Sequence, residues 1–178
     1  MKRQEIINQL HEKHKGFIHY ISSLDDESFL FSLNNDKWTA GQQADHIYRS
    51  LTPLQLILKF PKWSIKKLLG TANRPSKSYE ELVAKYYAKL KNNTGVAPSR
   101  FTPKEIDLTL KLIVFAKIEN TLRKICKSIE NYSEEELDEF ILPHPLLGKV
   151  TMREMIYFTI LHVEHHQKIA QRNLADRK

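Results

Sequence analysis

The segment Tyr157-Phe158-Thr159-Ile160-Leu161-His162-Val163-Glu164-His165-His166 sets two imidazoles four residues apart inside an apolar run. On an α-helix, residues i and i+4 share a face at about 6 Å, so His162 and His166 can aim nitrogen lone pairs at one divalent ion. Two ligands do not complete a site. Outside this segment the histidine that sits in another strongly apolar helical pattern is His46, in Ala44-Asp45-His46-Ile47. His165, three residues after His162, is a possible substitute. The stripe Met155, Thr159, His162, His166, Ile169 passes to one side of it, which predicts a peripheral, hydrogen-bonding role for His165. Proton competition for imidazoles of ordinary pKa, ~6.5, predicts that metal binding fades below about pH 6. A structural alternative stands beside this one, because i,i+4 pairs arise by chance and a lone histidine on an apolar face is more often a satisfied core residue. A metalloprotease of the His-Glu-x-x-His type is excluded: Val163 holds the place of the general base.

Positioning these side chains falls to helices whose starts are marked by capping boxes. Amphipathic spacing of Ile6, Ile7, Leu10, Phe17, Ile18 and Ile21 predicts a helix over 3–24. Boxes at Thr39–Gln42, Thr102–Glu105 and Thr151–Glu154 predict helices over 40–60, 103–130 and 151–173, and Ser78–Glu81 opens a shorter one over 79–91. A turn is expected at 133–140. No strand-like alternation competes, so the fold class is all-α, a four-helix bundle. Pro61 to Thr102, carrying Asn73-Arg74-Pro75 and Asn92-Asn93-Thr94-Gly95, reads as a long crossover with its own small helix between the second and third long helices. His46 falls about two turns after one helix start and His166 about two turns before another helix end, each ~10 Å from its terminus. Antiparallel packing of those two helices puts them level.

Composition bounds the alternatives. With 178 residues and 41% hydrophobic content, the chain fits one domain over 1–178 with a sizeable core. No leader pattern and no apolar run of ~20 residues is present, so a soluble, cytoplasmic protein with no membrane partner is expected. One cysteine, Cys126, excludes an internal disulfide and a thiolate-cluster zinc site. Beside Leu122, Ile125 and Ile129 it reads as a small buried hydrophobe. The net charge of +7 is spread along the chain and carries no nucleic-acid signature, so it describes a solvated surface and no nucleic-acid partner.

Trp38-Thr39-Ala40-Gly41-Gln42, then Ala44-Asp45-His46-Ile47, then His144-Pro145-Leu146-Leu147-Gly148-Lys149-Val150-Thr151, then His162-Val163-Glu164-His165-His166 together resemble the DinB/YfiT-like superfamily. The resemblance covers nearly the whole chain and implies an up-down-down-up bundle. It also implies a divalent ion, zinc or nickel, held by His46, His162 and His166, and association as a homodimer. His144-Pro145 matches the family's His-Pro and is expected to shape the start of the last helix, with pocket lining as the alternative. One departure is Ile169, where relatives often carry glutamine; Gln167 and Gln171 are the candidates to compensate. Trp38 is expected as the apolar partner of a helix-start staple, with the pocket wall as the minor alternative, and Trp63 at the surface or an interface.

Three neutral imidazoles leave the ion an open position, as in catalytic zinc sites. Such an ion would generate hydroxide from water or hold a thiol as thiolate. The family includes metal-dependent hydrolases and enzymes that use bacillithiol or mycothiol. The expected function is therefore a metal-dependent enzyme acting on a small molecule, of thiol S-transferase or hydrolase type. The alternative is a non-catalytic metal-binding or helical interaction protein. No general base is evident, since Asp45 points about 100° away from His46 and Glu164 faces off the stripe. That absence favours thiol transfer.

Overall fold

The computed structural model describes residues 1–92 and 98–177; of the crossover's Asn92-Asn93-Thr94-Gly95 stretch, residues 93–95 lie outside them. Four long helices form the body: α1 (Arg3–Ser22), α3 (Ala40–Ile57), α6 (Lys111–Ile129) and α8 (Met152–Ala175). Shorter ones fill the connections: α2 (Asp26–Leu30), α4 (Lys62–Leu69), α5 (Tyr79–Lys91) and α7 (Glu134–Glu139). Contacts between their ends set the directions. Lys111 Nζ donates to the carbonyl of Leu24 at 3.1 Å, while the Arg3 backbone N–H donates to Glu134 at 2.8 Å, so α1 and α6 are antiparallel. Lys62 reaches the Asn131 carbonyl and the Lys104 N–H reaches Asp45, so α3 and α6 point the same way. Arg153 donates to the Met1 carbonyl, joining the starts of α1 and α8. Hence α3 and α8 are antiparallel, the arrangement that brings His46 level with His166.

Local chemistry explains where the helices begin. Thr39, Ser78 and Thr151 each accept from the third residue of their helix, whose Gln or Glu side chain accepts in return from the cap N–H. A fourth box, Ser133 with Glu136, makes a helix of the segment expected to be a turn. The box at Thr102–Glu105 does not open α6, which begins at Lys111 rather than at 103. Tertiary contacts override it: the Lys104 N–H donates to Asp45 at 2.8 Å, and Ile106 is buried against α3. At Gly41 an added Cβ would lie 3.0 Å from Ile106 Cβ and 2.9 Å from Phe29, so only glycine admits this close approach. Asp107 then accepts from Thr109 and Leu110 N–H groups and turns the chain into α6.

A second difference is a small hairpin, β1 (Ile141–His144) with β2 (Gly148–Thr151), antiparallel with Ile141 opposite Thr151 and His144 opposite Gly148. Its four-residue strands, one holding Pro143, are too short to register as alternation. Gly148 supplies the positive φ of 76° that the turn requires. The hairpin delivers the chain into α8 through a buried charge cluster. Glu154, with no exposed side-chain surface, takes two hydrogen bonds from Arg74, at 2.6 and 2.8 Å, and others from the Lys77 and Thr151 N–H groups. Burial raises its pKa, but the Arg74 guanidinium and the two N–H donors outweigh this and hold the carboxyl below its ordinary range. Glu154→Ala is expected to cost about 3 kcal/mol in denaturant unfolding, because Arg74 and two backbone donors lose their acceptor together.

The core runs through all four long helices, with Phe17, Ile21, Ile47, Ile118, Ile125 and Tyr157 fully enclosed. Cys126 belongs to it, and burial pushes its thiol up to about 12, leaving it inert as a nucleophile. Trp63 stands 69% exposed on α4. Among the described residues no helix is long and apolar enough to cross a membrane.

Candidate metal centre

His46 from α3 and His162 and His166 from α8 meet in one buried cluster in which one ring nitrogen of each lies within 4.8 Å of the others. His162 Nε2 is 3.3 Å from His46 Nε2 and 3.0 Å from His166 Nε2. His165 lies outside the cluster, edge-on to Tyr86 and Tyr87 at 5.7 and 5.9 Å between ring centres. Its peripheral place agrees with the stripe, but no hydrogen bond to it is found among the described residues.

The opposite edges of two rings are anchored. His46 Nδ1 lies 2.7 Å from the Phe101 carbonyl, and His166 Nδ1 lies 2.5 Å from Gln43 Oε1. An oxygen there accepts from Nδ1–H, so the neutral ring carries its lone pair on Nε2, facing its neighbours. Burial pushes the pKa of His46 down, with partial relief from the Phe101 carbonyl and Asp45. His162 and His166 are pushed well below the ordinary value, first by burial and then by the neighbouring imidazoles. Convergent neutral nitrogens repel unless a cation or proton lies between them. The donor set is compatible with a divalent metal ion held by imidazole ligands.

Gln43 was not evident as a site residue from sequence, although it stands three residues before His46 and so on the same helix face. It orients His166, whereas Gln167 and Gln171, the candidates to compensate for Ile169, do not line the cleft. Gln43→Ala is expected to weaken zinc binding 10- to 100-fold in calorimetry, the usual effect of losing a partner that orients a ligand.

The cluster opens onto a cleft of about 450 Å³ between α3, α5, α8 and the hairpin. Its wall is mostly apolar, with Leu54, Phe101, Leu142, Met155 and Phe158 among its residues. Trp38 packs 4.9 Å from His46 and 6.2 Å from His166 between ring centres, which places it in the pocket wall. His144 both shapes the hairpin turn and lines the cleft. Among the described residues no carboxylate lines it. Asp45 is held by Arg49 at 2.5 Å and Glu164 by Lys13 at 3.1 Å, so both candidate bases are engaged elsewhere.

Fold and site together define a four-helix bundle with a buried three-histidine cluster at the floor of a cleft. The chain belongs to the DinB superfamily, which matches residues 9–170. A solved structure described as TT2238, a four-helix bundle protein, superposes with a TM-score of 0.60 at 15% identity, covering 96% of this chain and 99% of that one. That likeness bears on the fold alone. No curated protein matches the chain.

Proposed function

We propose that His46, His162 and His166 hold a divalent ion, zinc or nickel, and that the protein is a metal-dependent enzyme acting on a small molecule in the cleft. One observation carries this reading: the Nε2 atoms of three neutral imidazoles converge while Phe101 and Gln43 secure two of the rings from behind. The nitrogen separations of 3.0 and 3.3 Å are close to the ~3.3 Å edge of a tetrahedron with Zn–N bonds of about 2.0–2.1 Å. Bound there, the ion supplies a thiolate or hydroxide nucleophile at neutral pH.

The chain's own residues favour the thiol. Hydrolysis draws on an acid–base group to pass a proton of the attacking water to the leaving group, whereas a thiol would give its one proton to solvent on binding the ion, and the described cleft wall holds no carboxylate. A thiol S-transferase using a low-molecular-weight thiol such as bacillithiol or mycothiol needs only the ion, an apolar wall that excludes water and room for both reactants. A screen of electrophiles against several thiols with zinc-loaded protein tests this. Conjugation that requires both zinc and thiol is expected; turnover that proceeds equally without thiol would replace S-transfer with hydrolysis.

A further inference from the structure

His144 ends β1 with its ring buried beside Phe158, 4.2 Å away between ring centres. The backbone N–H groups of Leu146 and Leu147 both donate to its Nδ1, at 3.1 and 3.0 Å. A nitrogen accepting two such bonds carries no proton, so the neutral ring has its proton on Nε2. Burial and the nearby Lys85 ammonium push its pKa down to about 4, and the ring stays neutral at pH 7. Lys85 also donates to the Leu147 carbonyl at 3.0 Å and pins the same turn. The donor at Nε2 has no partner among the described residues. Among them the one buried side-chain nitrogen or oxygen left without a partner is Asn173 Nδ2, so His144 Nε2 meets open space. The open space at His144 is the cleft.

We infer that His144 is a specificity-determining residue whose Nε2–H donates to an oxygen acceptor, carbonyl or carboxylate, on the bound ligand. The Phe158 ring, which also stacks 4.7 Å from His162, spaces this donor from the three-histidine cluster. A ligand is therefore read at two points, at the cluster and at an acceptor one aromatic ring away. A molecule lacking that acceptor buries the donor unpaired. The inference rests on the cleft being the ligand site, and not on the identity of the ion.

Two measurements test it. In ¹⁵N-histidine-labelled protein, metal-free and zinc-loaded, long-range ¹H–¹⁵N spectra should show His144 as the Nε2–H tautomer. Titration with phenylacetate and with acetophenone should then shift its Nε2–H resonance, and His144→Asn should bind the responding probe about tenfold more weakly. In asparagine Oδ1 stands in for Nδ1 toward the Leu146 and Leu147 N–H groups, while the amide nitrogen stands near the ring's Cδ2 and falls short of the Nε2 position, so the turn is retained and the donor at that point is lost. An Nδ1–H tautomer, equal affinity in His144→Asn, or no saturable binding of either probe overturns the inference. The metal-free arm reads His144 even if zinc proves not to bind, so the two failures are distinguishable.

Discussion

Replacing His46, His162 or His166 with alanine is expected to weaken zinc or nickel binding by at least about 100-fold each, whereas His165→Ala changes it by less than about threefold. Structural zinc sites with four ligands are worth about 10–16 kcal/mol, so one imidazole carries roughly 3 kcal/mol. His165 stands outside the converging set, against Tyr86 and Tyr87. Isothermal titration of the four variants, with circular dichroism to verify folding, reads the contrast. Equal damage from His165→Ala and His166→Ala would mean a different ligand set. Burial also revises the pH expectation. Ordinary imidazoles would release the ion below about pH 6, but the depressed pKa values of His46, His162 and His166 move proton competition lower.

The metal-free protein is expected to lose stability steeply in acid. His14 donates from Nδ1 to the Leu10 carbonyl, is 1% exposed, and is pushed from 6.5 to about 4 by burial. Its folded pKa lies below its unfolded value, so the unfolded chain binds the extra proton. Stability is then complete above about pH 6.5 and declines as pH falls toward 4. At 1.36 kcal/mol per pKa unit, His14 alone accounts for roughly 3 kcal/mol by pH 4. The cluster histidines add to the same slope. Denaturant unfolding at pH 7, 5.5 and 4.5 should show the decline, and His14→Leu should flatten it by His14's share. Stability unchanged over that range would contradict buried neutral imidazoles.

The helix starts at Thr39, Ser78 and Thr151 were legible because a capping box is local: its donors and acceptors are set by residues three apart. The i,i+4 pair His162 and His166 was legible for the same reason, and His46 was chosen for its apolar helical context, its height along an antiparallel neighbour then agreeing. What stayed hidden depends on partners distant in sequence. The Phe101 carbonyl that orients His46 is a backbone atom 55 residues away, and no side-chain type marks it. The box at Thr102 looks like the others, yet Ile106 packing on Gly41 and the Lys104 N–H bonded to Asp45 keep that segment out of a helix. The 141–151 hairpin pairs locally, but its four-residue strands are too short to show alternation, and a further anchor, Ala72 N–H to the Glu139 carbonyl, comes from a distant segment.

X-ray absorption at the zinc edge of protein loaded with one equivalent of zinc tests the central claim most directly. The three-histidine centre predicts three imidazole nitrogens at about 2.0–2.1 Å with the outer-ring scattering of histidine, plus one light or sulfur donor from solvent or thiol. A shell of carboxylate and water oxygens without imidazole scattering, or no stoichiometric zinc at all, would contradict it.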